Sequence, residues 1–121
     1  MKCKNILIVE DNPMNQFLVQ TIFENEGYSI GIAENGLEAI DLLKKQTFDL
    51  ILMDLMMPIM NGYDATKKIR EDLKLDITII AVTADVTSNV KEKCLDAGMN
   101  DYISKPYNGD ELIALAKKYL K

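Results

Sequence analysis

The chain has 121 residues, 48% of them hydrophobic and 27% charged, and its 14 basic and 19 acidic side chains give a net charge of −5. That length suits one domain with one core, expected to span residues 1–121, and the composition excludes a disordered chain. The acidic balance argues against a nucleic-acid partner, which needs a clustered basic face, and the absence of histidine excludes a histidine base, histidine metal ligand or phosphohistidine carrier within the chain.

No apolar stretch approaches the ~20 residues of a membrane span. The residues ahead of the first apolar run carry no secretory signal. A cytoplasmic protein with no membrane partner is therefore expected. Cys3 and Cys94 match no metal or redox spacing and are expected to be reduced thiols.

The elements alternate between strand and helix five times. Residues 5–9, with Ile6-Leu7-Ile8-Val9, read as a strand, and Asn12-Pro13 opens a helix, Asn as cap and Pro at the first helical position. Met14, Phe17, Leu18, Thr21 and Ile22 share a face at helical spacing, and Gly27 stops the helix. Residues 28–33 alternate as a second strand, Tyr28, Ile30 and Ile32 facing one way. Asn35 with Glu38 makes a capping box for a second helix carrying Ala39, Ile40 and Leu43. Residues 49–53 form a third strand. A loop through Asn61-Gly62 leads to a helix over about 63–73, and Ile77 to Val82 form a fourth strand. Asp85 to Ala97 form a helix stopped by Gly98. A short strand lies near 101–104, and a last helix starts at Asn108 with Glu111 as its box partner, burying Leu112, Leu115, Ala116 and Tyr119.

Alternating strands and helices imply an α/β fold: a single doubly wound, five-stranded parallel sheet covered on both faces. The first, third and fourth strands are solidly apolar, as interior strands are. The second alternates and the fifth is short, as edges are. The order 2-1-3-4-5 of a flavodoxin-like fold fits.

This arrangement gives the chemistry. Glu10 and Asp11 follow the first strand, Asp54 the third and Lys105 the fifth. The C-terminal strand ends of such a sheet line one crevice. Three carboxylates converging there repel each other, and a hard divalent cation would relieve them.

Val9-Glu10-Asp11-Asn12, Asn35-Gly36-Leu37-Glu38-Ala39, Asp49-Leu50-Ile51-Leu52-Met53-Asp54, Met57-Pro58-Ile59-Met60-Asn61-Gly62, Ala81-Val82-Thr83-Ala84 and Tyr102-Ile103-Ser104-Lys105-Pro106 follow one another in order along the chain. Together they resemble a response-regulator receiver domain from end to end. Glu10-Asp11-Asn12-Pro13-Met14-Asn15 and Ile69-Arg70 look most like receivers of hybrid histidine kinases and phosphorelays. The resemblance implies a switch in two-component signal transduction. A histidine kinase or histidine phosphotransfer domain is then the phosphoryl donor, a downstream effector protein reads the output, and the chain is a monomer or weak dimer. It is not an enzyme beyond taking phosphate from donors and losing it.

By resemblance, Asp54 is the phospho-acceptor forming an aspartyl phosphate. Glu10, Asp11 and Asp54 hold Mg2+ together with the backbone carbonyl of Met56. Thr83 is the switch hydroxyl and Lys105 the phosphate-contacting lysine. The Lys105–Pro106 bond is expected to be cis. Tyr102 is the switch aromatic that follows Thr83 and changes the face of the fourth helix, fifth strand and fifth helix. The surface around Asn12, Met14 and Asn15 is the docking face. Met56 and Asp85 flank the path of an attacking water, and the apolar Met56 predicts a long-lived acyl phosphate. The other methionines of that loop read as packing. The rival readings are a Mg-dependent phosphotransferase or phosphatase of haloacid-dehalogenase type, which needs a second acid where Met56 stands, and a docking module that is not phosphorylated.

Overall fold

The computed structural model describes residues 4–57, 59–84, 89–105 and 107–120. The elements are β1 (Asn5–Val9), α1 (Pro13–Glu24), β2 (Ser29–Ala33), α2 (Gly36–Lys45), β3 (Leu50–Asp54), α3 (Gly62–Glu71), β4 (Thr78–Thr83), α4 (Val90–Ala97), β5 (Asp101–Ser104) and α5 (Gly109–Tyr119). All neighbouring strands pair in parallel, in the order β2-β1-β3-β4-β5.

Asparagine stands at the N-cap of all five described helices, and its side chain caps four of them. Asn12 Oδ1 accepts from the backbone N–H groups of Met14 (2.9 Å) and Asn15 (3.2 Å), and Asn35, Asn61 and Asn108 accept from Glu38, Asp64 and Glu111. Each cap satisfies a donor that the first helical turn leaves orphaned, worth about 1 kcal/mol. Gly98 ends α4 at φ 107°, a left-handed conformation suited to a residue without Cβ.

The pleat sorts the strand residues into two cores. On one face Leu7, Ile51, Ile79 and Ala81 pack with Ala39 and Ile40 of α2, Ala65 and Ile69 of α3, and Val90 and Cys94 of α4. On the other Ile6, Ile8, Leu52 and Ile80 pack with Val19 and Phe23 of α1 and Leu112 and Ala116 of α5. Fully burying an Ile, Leu or Phe contributes ~1.5–3 kcal/mol, and the three interior strands are buried on both faces.

The structure differs from the sequence expectation at three places. The apolar face read along α1 turns mostly to solvent: Met14, Phe17 and Leu18 are 81%, 71% and 51% exposed, while Val19 and Phe23 seat the helix. Two apolar arcs run along α1, and the packing of α1 beside α5 selects the one with Val19 and Phe23. β3 and β4 each extend one residue further, to Asp54 and Thr83. The first described helical residue of α4 is Val90 rather than Asp85. Asp85, Pro58 and Pro106, with its expected cis bond, lie outside the described residues.

The Ile69-Arg70 pair has a structural duty. The Arg70 guanidinium donates to the carbonyls of Gly98 (2.8 Å), Leu75 (2.9 Å) and Ile77 (2.7 Å) and to Asn100 Oδ1 (3.0 Å), which also accepts from the Ile79 N–H. It ties the end of α3 to the end of α4 and the start of β4. Partial burial pulls the Arg70 pKa down, opposed by Asp76.

Candidate functional site

The strand order reverses between β1 and β3. The chain leaves β1 for the edge strand β2, then crosses back over β1 to β3. The crevice outside the carboxyl ends at such a switch point is where open α/β sheets bind ligands. Glu10 and Asp11 follow β1 there and Asp54 closes β3.

Carboxylate oxygens of Glu10, Asp11 and Asp54 lie within 4.8 Å of one another. Glu10 and Asp54 are buried and Asp11 is exposed. Backbone amides hold the two buried groups: Glu10 Oε2 accepts from the Asn12 N–H at 3.2 Å, and Asp54 Oδ1 from the Met56 N–H at 3.1 Å. Gln16 Nε2 donates to the Glu10 carbonyl at 2.6 Å and fastens the turn into α1. Gly62 packs against the end of β3 so closely that a Cβ would stand 2.5 Å from the Asp54 carbonyl oxygen.

Lys105 reaches the same place from β5, its N–H bonded to the Thr83 carbonyl at 2.7 Å. Its Nζ lies 3.3 Å from Glu10 Oε1 and 3.7 Å from Asp54 Oδ2. One ammonium against three carboxylates leaves two negative charges uncompensated. An all-oxygen set that is partly buried and convergent suits a hard divalent cation such as Mg2+, so these residues fit the ion that the sequence implied. The fourth expected ligand, the Met56 carbonyl, belongs to the residue whose N–H already touches Asp54; the Met56 side chain is 73% exposed.

The structure places the remaining expected residues one layer away. Thr83 is fully buried at the end of β4, one residue beyond Val82, which pairs with Asp54. Tyr102 pairs with Ala81, and Thr83 with Ser104. Thr83 and Tyr102 therefore project to the same sheet face, the one covered by α4, where Tyr102 packs against the core.

Sequence reasoning missed Tyr107. It lines a small cavity of about 10 Å3 together with Glu10, Asp54 and the apolar Ile8, Val19, Leu52 and Val82. The same residue lines an open groove of about 380 Å3 with Asn15, Leu18, Ala84 and Lys105. Burial, then the charges of Glu10 and Asp54, push its phenol pKa up, so the O–H stays protonated. A tyrosine two residues after the strand-end lysine was the available signal.

The response regulator receiver domain family profile matches residues 6–117. Hybrid signal transduction histidine kinase B of Dictyostelium discoideum is 40% identical over 98% of this chain, which spans 7% of that kinase's length. The receiver domain of a Pseudomonas aeruginosa sensor histidine kinase, solved with a magnesium ion coordinated in its active site cleft, is 37% identical with a TM-score of 0.88, covering 98% of each chain. The receiver domain of the Saccharomyces cerevisiae response regulator Ssk1, solved with the histidine phosphotransfer protein Ypd1, is 37% identical with a TM-score of 0.84, covering 97% of this chain and 86% of that one. With its sheet order, its switch-point crevice and these matches over nearly its whole length, the chain belongs to the response regulator receiver domain family.

Proposed function

We propose that residues 1–121 act as one phospho-accepting switch in which the Asp54 carboxylate is the nucleophile toward phosphorus, giving an acyl phosphate. The observation that carries this is the convergence of Glu10, Asp11 and Asp54 with Lys105 at the switch point. A buried carboxylate held by one backbone N–H keeps its second oxygen, Oδ2, for attack, and Lys105 stands beside that oxygen. After transfer, Lys105 pairs with phosphoryl oxygens in place of Oδ2.

Glu10, Asp11, Asp54 and the Met56 carbonyl would hold Mg2+, which when bound neutralises charge on the carboxylates and the phosphoryl oxygens. Thr83 is the switch hydroxyl. Drawn toward the phosphoryl group, it leaves space on the α4 side that Tyr102 fills, and the α4–β5–α5 face changes for an effector protein. The phosphoryl group biases that equilibrium only by its preference for one state.

The donor is a phosphohistidine on a histidine kinase or phosphotransfer domain. The Ssk1 receiver's complex with Ypd1 supports that partner class, and the exposed Met14, Phe17 and Leu18 on α1, beside the crevice, offer an apolar seat for it. Among the described residues no helix is long and apolar enough to cross a membrane. A cytoplasmic monomer or weak dimer suits this role.

Incubation with Mg2+ and acetyl phosphate, read by intact mass, tests the acceptor. The parent gains one phosphoryl group and Asp54→Asn gains none; equal gain by both would overturn the assignment. Phe17→Asp tests the seat. It is expected to slow transfer from a phosphotransfer protein at least ten-fold and leave the acetyl phosphate rate unchanged.

A further inference from the structure

Tyr107 stands where two spaces meet. It lines both the small cavity bordered by Glu10 and Asp54 and the larger groove bordered by Leu18, Ala84 and Lys105. Among the described residues its hydroxyl has no hydrogen-bond partner. A phenol is both donor and acceptor, and since no buried side-chain polar atom among the described residues lacks a partner, this hydroxyl is open to solvent and to an incoming group. The resting carboxylates make their own contacts without the phenol: Asp54 Oδ1 accepts from the Met56 N–H, Glu10 Oε2 from the Asn12 N–H, and Glu10 Oε1 from Lys105.

We propose that Tyr107 is a further catalytic residue of the acceptor site, whose hydroxyl donates to an oxygen of the phosphoryl group as it passes from the groove to Asp54. This rests on Asp54 being the acceptor. During transfer an Asp54 oxygen forms a bond to phosphorus while the donor's phosphorus–nitrogen bond breaks. The donor nitrogen departs with the electron pair, as neutral imidazole from a phosphohistidine protonated on its other ring nitrogen, or as ammonia from N-protonated phosphoramidate. Tyr107 keeps its proton. Negative charge gathers on the three equatorial oxygens in such a transition state, and the resting site offers Lys105 and the Tyr107 O–H as side-chain donors from this edge of the crevice. A contact that the resting protein does not make, and that forms as the phosphoryl group reaches Asp54, accelerates transfer and also holds the bound phosphoryl group or its mimic.

Tyr107→Phe keeps the ring and both cavity walls and removes only the hydroxyl. With Mg2+ and phosphoramidate as the phosphorus–nitrogen donor, the variant is expected to acquire phosphate about ten-fold more slowly than the parent, the loss of one hydrogen bond to a charged oxygen. Its affinity for beryllofluoride, a phosphoryl mimic, should fall by a similar factor and its melting temperature should stay within a degree or so. Parent-like phosphorylation and beryllofluoride affinity in Tyr107→Phe would overturn the proposal. So would a large drop in melting temperature accompanying the slower rate, because the hydroxyl would then serve the fold. A parent protein that itself gains no phosphate marks failure of the acceptor assignment instead.

Discussion

Lys105 Nζ lies 3.3 Å from Glu10 Oε1, nearer than its 3.7 Å to Asp54 Oδ2, so the lysine at rest neutralises the β1 acid first. Both carboxylates are buried, and removing the lysine leaves two desolvated charges without their cation. Lys105→Met is therefore expected to bind Mg2+ more tightly, because the competing ammonium is gone, and to gain phosphate from acetyl phosphate at least ten-fold more slowly. Titration calorimetry and intact mass read the two effects, and weaker Mg2+ binding by the variant would contradict the electrostatic account.

Mg2+ should also stabilise the fold. A ligand that binds only the native state adds stability by mass action, about 2.7 kcal/mol at a hundred times its dissociation constant. The melting temperature should climb with added Mg2+ and fall with a chelator. Asp54→Asn, with one carboxylate fewer in the cluster, should melt higher than the parent in chelator and respond less to the ion.

At Gly62 an added Cβ would meet backbone on two sides, 2.5 Å from the Asp54 oxygen and 3.0 Å from Leu55 Cα. Neither can rotate away. Gly62→Ala is expected to lose about 2–3 kcal/mol and to slow phosphorylation, since the strain falls on the acceptor's own residue. Urea unfolding and acetyl phosphate kinetics measure both.

Ile59 is exposed with φ at 70°. A β-branched side chain there carries a penalty of ~1–2 kcal/mol. Ile59→Asn, a residue that tolerates the left-handed region, should add about 1 kcal/mol of stability in the same unfolding assay.

The exposed Met56 side chain offers no hydrogen bond to orient a water beside the acceptor. Met56→Asn supplies a carboxamide at that place and should shorten the acyl phosphate lifetime several-fold. Equal decay of parent and variant would remove Met56 from the hydrolytic path.

Much of this was legible in the sequence. The asparagine caps, the glycine stop at 98 and the solid apolar runs of β1, β3 and β4 are local signals with local causes, and the structure keeps them. The strand-end positions of Glu10, Asp11, Asp54 and Lys105 in a sheet of this order already imply one shared crevice. The inward side of α1 was not legible. Met14-Phe17-Leu18 and Val19-Phe23 are both apolar arcs at helical spacing, and only the docking of α1 against the sheet and α5 decides between them. Tyr107 escaped for a related reason. Its neighbours Glu10 and Asp54 are distant in sequence, and no periodicity marks a loop residue that two cavities share.

The outward arc of α1 divides the labour of one helix. Val19 and Phe23 keep it seated, while Met14, Phe17 and Leu18 carry little core duty. If that arc is the proposed seat for the phosphoryl donor, substitutions along it would change which upstream protein is recognised at almost no expense in folding. A duplicated gene could thus acquire a separate signalling route through a handful of changes on a single turn or two, with the phosphate chemistry left intact.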